Sequence, residues 1–271
     1  MKKIFFTPLI LILLFTSCED VVNVDLETAA PKLVIDASID WEKGTTGNVQ
    51  VIKLSTTSDF YSNTVPRVSG AIVFITNSSN TIFDFIETVP NSGNYVCSNF
   101  VPAIDETYTL TVTYQGQTYN SSEKMISVPE ITRTEQRNIT VGTAEQIEVE
   151  FFFQDNGLED NNYMFRYIVP SFVTPIFEAF DDRFQQGNEM SNFYSDDELK
   201  AGDVINFTLY GISRQNYNYM NILLGITGGV GPFSTPPATL RGNIVNLTNE
   251  ENFCLGFFRL SEIDRLDYTV Q

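Results

Sequence analysis

The chain has 271 residues, 16 basic against 34 acidic side chains, no histidine and three cysteines, for a formal net charge of −18. A content of 42% apolar residues is enough for a buried core and argues against disorder. The acidity makes nucleic acid the least expected partner, because a phosphate backbone is bound by Lys and Arg that release counterions. The missing imidazole closes Ser-His-Asp, Cys-His and His-ligated zinc chemistry.

In chain order, Lys2 and Lys3 precede an apolar run over 4–15 that ends at Thr16-Ser17-Cys18. This is the pattern of an export signal, and the run is too short for a helix that crosses a hydrocarbon core, which needs about 20 residues. Ser17 before Cys18 resembles the lipobox of bacterial lipoproteins, with Phe15 where Leu is usual. The resemblance implies cleavage after residue 17 and lipidation of Cys18, with acyl chains that hold the chain on a membrane at about 0.8 kcal/mol per buried methylene. Residues 18–31 form an acidic tether opening with Glu19-Asp20, which resembles the surface-export signals of Bacteroidetes-type outer-membrane lipoproteins. The expected location is the outer membrane, facing the medium, with a periplasm-facing body as the alternative.

From residue 32 short alternating apolar stretches are punctuated by Gly, Asn, Ser and Pro, the signature of a β-sandwich. Strands are expected over 33–35, 49–54, 71–75, 82–86, 95–97, 108–114 and 117–119. In the clearest of them Tyr108, Leu110, Val112 and Tyr114 share one face, and Gln115-Gly116 predicts a tight hairpin turn in which Gly supplies positive φ. The pattern over 32–128 resembles immunoglobulin-like or prealbumin-like modules. Pro129 marks a boundary because it cannot donate to a ladder, and residues 129–271 are expected to form a second β-rich domain. There strands are predicted over 146–153, 163–169, 204–210 and 255–260. Residues 177–184 and 196–200 read as weakly helical or irregular, and 214–224 as a true helix. The fold class is all-β, with one or two short helices.

Pro232-Phe233-Ser234-Thr235-Pro236-Pro237, Arg241-Gly242-Asn243-Ile244 and Cys254-Leu255-Gly256-Phe257-Phe258, with Cys18-Glu19-Asp20-Val21-Val22 and Pro31-Lys32-Leu33-Val34-Ile35, resemble the domain of unknown function 4249 lipoproteins of Bacteroidetes-type bacteria. The resemblance spans nearly the whole mature chain and implies an outer-membrane lipoprotein often found beside a TonB-dependent transporter. It supplies no catalytic residues.

Candidate chemistry is sparse. Asp155, Glu159 and Asp160 offer oxygen ligands of the kind Ca²⁺ takes, although their spacing departs from the calcium-loop pattern and a solvated turn is the favoured reading. Asp181-Asp182 and Asp196-Asp197-Glu198 are further acidic groups that read as charged faces. Tyr210, Tyr217 and Tyr219, near Gly228-Gly229-Val230-Gly231, form a candidate stacking platform for a sugar or peptide, against the alternative that they fill the core. Cys97 and Cys254 read as two buried free thiols, with a disulfide between the halves as the alternative. The reading is a non-enzymatic accessory or ligand-binding lipoprotein working with a TonB-dependent transporter. The alternatives are a surface hydrolase using carboxylates or calcium, and a structural component of the envelope.

Overall fold

The computed structural model describes residues 30–59, 62, 64–227 and 239–271. The first group of strands comprises β1 (Leu33–Glu42), β2 (Gln50–Thr56), β3 (Ile72–Asn77), β4 (Ile82–Phe85), β5 (Asn94–Cys97), β6 (Thr107–Tyr114) and β7 (Gln117–Lys124). The second comprises β8 (Ile131–Val141), β9 (Ala144–Gln154), β10 (Asn162–Ile168), β11 (Ile176–Asp181), β12 (Glu189–Asp196) and β13 (Val204–Gly211). The helix α1 (Arg214–Thr227) follows, then β14 (Val245–Asn246) and β15 (Leu255–Thr269). The protein is all-β, with one helix among the described residues.

Among the described residues three sheets form: β11-β10-β13-β15-β1-β2-β5, β12-β9-β8 and β14-β7-β6-β3-β4. The seven-stranded sheet is the common wall of two sandwiches. At one end β1, β2 and β5 face the five-stranded sheet, and Ile35, Ile39, Ile52 and Leu54 meet Val73, Ile75, Leu110 and Val112. At the other end β10 and β13 face the three-stranded sheet, and Phe165 and Phe207 meet Phe151 and Phe153. Period-two alternation explains the first core: in β6, Tyr108, Leu110 and Val112 are buried while the threonines between them are half-buried or exposed. The hairpin after β6 has positive φ at both Gln115 (48°) and Gly116 (71°), which makes it a type I′ turn matched to the strand twist.

β15 joins the two halves. It runs parallel to β1 from Leu255 to Ile263 and antiparallel to β13 from Ile263 to Thr269. Phe258 and Leu260 enter the first core, whereas Leu266 and Tyr268 pack on the second. Between them Glu262 Oε2 accepts from Val128 N and Lys43 Nζ, both at 2.9 Å, and Asp264 Oδ2 accepts from Ile131 N at 2.7 Å. These carboxylates fix the segment between β7 and β8, whose backbone N–H groups would otherwise be buried without acceptors. Met125 belongs to the first core and Val128 to the second. Ile244 and Cys254, however, also close the first core, so that core is not confined to 32–128. Residues Pro31–Gln271 form one compact unit.

Two local expectations need correction. Most of 177–184 is strand: Ile176–Asp181 pairs with β10, and Phe180 stacks on Phe165 at 4.6 Å. As an edge strand with neither face fully buried, it lacks clean alternation in its sequence. The last strand extends nine residues beyond Leu260, because its outward Arg265 and Asp267 mask the inward Leu266 and Tyr268. The helix matches its prediction at the start, where Asn216 N donates to Ser213 Oγ at 3.2 Å, an N-terminal cap. The exposed edge strand β8 is covered in charge: Arg133 pairs with Glu135 and Glu189, and Arg137 with Glu148 and Glu150, which discourages edge-to-edge pairing.

Candidate functional site

The acidic loop between β9 and β10 is a clamp. Asp155 is 4% exposed; its Oδ1 accepts from the Tyr163 hydroxyl at 2.6 Å and its Oδ2 from Gly187 N at 2.7 Å. Glu159 accepts from Asn156 Nδ2 at 3.1 Å, and Asp160 from Gln186 Nε2 at 3.4 Å. The three expected calcium ligands therefore take separate partners, and no group of three or more metal-ligating side chains gathers among the described residues. The Asp155 oxygens are committed to the protein itself.

Asp181 and Asp182 diverge because consecutive side chains at a strand end face opposite ways. Burial raises the Asp181 carboxyl, but hydrogen bonds from Arg214 (2.8 Å) and Arg183 (2.7 Å) and their charge outweigh it and hold the group below its ordinary range. Asp182 is 1% exposed, and burial pushes its pKa up although its Oδ2 accepts from Asn161 N at 2.7 Å. Asp196 is held low mainly by the backbone N–H of Glu198 at 2.8 Å.

The tyrosine set does not form a single platform. Tyr210 is 2% exposed and belongs to a small core of Met164, Ile212 and Ile263 under α1, with the Arg259 guanidinium 4.8 Å from its ring centroid. Tyr217 packs on that core with Arg214 over its ring at 4.7 Å. Tyr219, two helical positions on and so roughly 200° round the axis, packs at a tilt against Phe257 with ring centroids 4.8 Å apart. Fixed inside the protein or against other rings, these side chains are packing elements. Cys97 and Cys254 are free thiols buried in the first core, and burial pushes the Cys254 pKa up to about 11. Cys18 and Gly228-Gly229-Val230-Gly231 lie outside the described residues.

The structure assembles a different surface on the outward face of β1, β2 and β5: a groove of about 630 Å³, within the usual volume range of ligand sites. Asp36, Ser38 and Asp40 enter it from β1, Lys53 from β2, and Val51 beside Val96 floors it. Asp36 lies opposite Lys53 in the ladder and accepts from Ser38 Oγ at 2.9 Å, while Asp40 pairs with the nearly buried Arg259 at 2.8 Å. Matched charge beside a half-buried apolar floor suits a ligand with an apolar body and polar edges. Sequence reading missed the groove because Asp36, Ser38 and Asp40 alternate with Ile35, Ala37 and Ile39 and read as an ordinary wet face. Only the register with Lys53 and Val96 reveals it.

Three solved structures are similar at low identity. A cytokine receptor complex has 6% identity over 68% of this chain and 86% of that one, with a TM-score of 0.26. A segment of two fibronectin type III domains from chicken tenascin has 12% identity over 67% and 90%, with a TM-score of 0.22. A DUF4785 family protein from Legionella pneumophila subsp. pneumophila str. Philadelphia 1 has 9% identity over 68% and 53%, with a TM-score of 0.23. No curated protein matches the chain. The all-β assignment rests on strand pairing, independently of these likenesses. Residues 19–266 match one family across most of the chain, and the protein belongs to that family, Domain of unknown function (DUF4249).

Proposed function

We propose that this protein is an outer-membrane lipoprotein anchored through Cys18, a non-enzymatic accessory or ligand-binding protein working beside a TonB-dependent transporter. The observation that carries a binding role is the groove of about 630 Å³ on the outward face of the first sandwich, where the exposed Asp36 and Lys53 lie beside the half-buried Val51 and Val96. The anchor is supported by the apolar run over 4–15 ending at Ser17-Cys18, and the acidic tether behind it supports a surface location. The transporter association rests on the resemblance of the whole mature chain to lipoproteins found beside such transporters. A hydrolase is the weaker reading, because both oxygens of Asp155 accept hydrogen bonds from Tyr163 and Gly187.

The test is affinity purification of the tagged chain from gently solubilised outer membranes, with mass spectrometry of the co-purifying proteins and a Cys18→Ala control. Stoichiometric recovery of a TonB-dependent transporter supports the accessory role, and recovery of the chain alone removes it. A Cys18→Ala chain that still partitions fully with membranes refutes the lipid anchor.

A further inference from the structure

At one end of the second sandwich the β9–β10 turn and the β11–β12 turn are locked side by side. Gln154 Nε2 donates to Gly187 O at 3.0 Å, Asp155 N to Asn188 O at 3.1 Å, and Asn161 N to Asp182 Oδ2 at 2.7 Å. A Cβ added at Gly157 would lie 2.8 Å from Gly187 Cα, so the two backbones touch where no other residue fits, and Gly187 holds φ +74°. From the crests of these turns Leu158 and Phe184 project, each 94% exposed. Single exposed apolar residues are ordinary. Two large ones on adjoining turns held by buried carboxylates are a different matter, because the loops are ordered without either side chain gaining burial. Such preorganisation lowers the entropic cost of inserting both into a pocket.

The surrounding charge selects the occupant. Glu159 and Asp160 are exposed beside Leu158, and neither has an ion-pair partner among the described residues. Arg183, next to Phe184, is engaged by Asp181. An apolar tip with an acidic rim is repelled by an anionic lipid surface and is complementary to a protein cleft that is apolar inside and rimmed by Lys or Arg. We infer that this end of the second sandwich docks into such a cleft of a protein partner, with Leu158 and Phe184 as anchors. The inference rests on the accessory reading above only for the partner's identity.

The test places the photo-cross-linker p-benzoylphenylalanine, one site at a time, at Leu158, Phe184 and the exposed Leu247 of the full lipidated chain in cells. Cross-linked peptides are mapped by mass spectrometry. Both turn sites should cross-link to one polypeptide, at a stretch rich in Lys or Arg, and the Leu247 site should not. Glu159→Lys with Asp160→Lys should cut that yield about tenfold, with the melting temperature unchanged. Cross-links to lipid alone, a yield no higher than at Leu247, or indifference to the charge reversal would each overturn the inference. A partner that meets these conditions but is not a TonB-dependent transporter keeps the docking end and removes the transporter reading. A transporter cross-linked from Leu247 and from neither turn does the reverse.

Discussion

The two cores are built from different side chains. The first is filled mainly by aliphatic residues such as Ile35, Ile52, Ile75 and Leu110, whereas the second is filled by stacked rings, with Phe151 on Phe207 at 4.2 Å and Phe165 on Phe180 at 4.6 Å. The cause lies on the reverse side of the shared sheet. Behind the first core that reverse side is wet and carries the groove, so β1 and β2 alternate cleanly. Behind the second core α1 covers Met164 and Tyr210, so most of β10 is buried on both faces, and Tyr163, Met164 and Phe165 follow one another without the alternation seen in β1 and β2. A single sheet thus shows both patterns, one for each way its reverse side is covered.

The comparison can be broken at several points. The largest effect is expected from Phe207→Ala, which removes a ring packed against three others and should cost about 3–5 kcal/mol in denaturant unfolding. The smaller aliphatic deletion, Ile52→Val, removes one methylene and should cost about 0.5–1.5 kcal/mol by the same measurement. Next, Glu262→Leu leaves Val128 N and Lys43 without their acceptor and should cost about 1–3 kcal/mol. If that carboxylate couples the sandwiches, calorimetry should split one transition into two. Tyr163→Phe removes the hydroxyl that donates to Asp155 and should cost about 1 kcal/mol, read from the denaturation midpoint.

A pH titration sharpens the difference further. Burial raises the Asp182 pKa above its ordinary 3.8, so the folded state binds more protons than the unfolded one, and stability from this group falls as pH rises from about that value through the folded pKa. Asp182→Asn should therefore gain stability relative to wild type across that window, and a difference that stays flat with pH would contradict the assignment. The smallest effect is expected in the groove: Lys53→Ala is an exposed change on the first sandwich, and denaturant unfolding should register less than about 0.5 kcal/mol.

The legible parts of this fold are those set by neighbours in sequence. Tyr108, Leu110 and Val112 declared their face, Gln115-Gly116 its turn, and 214–224 its helix, because period and turn chemistry are local. Pairing between β1 and β15, some 220 residues apart in the chain, is invisible to any local pattern. The same limit governed the candidate sites. Asp155 displays the chemistry of a metal ligand, yet Gly187 and Tyr163 decide its role, and Tyr210 displays a stacking ring that Met164 and Ile263 enclose. Asp36, by contrast, looked like a wet-face residue and borders the groove because Lys53 and Val96 arrive there from other strands.

The parallel seating of β15 against β1 also constrains how the chain acquires its structure. Phe258 and Leu260 are needed to close the first core, so the N-terminal sandwich cannot finish in the order in which residues emerge from a ribosome. Until Leu255–Ile263 arrives, the β1 segment carrying Val34, Ile35 and Ile39 lacks that neighbour and presents bare backbone donors and acceptors to any passing strand. Only when β15 takes its place are those groups paired, so the order of folding is set by the last strand of the chain.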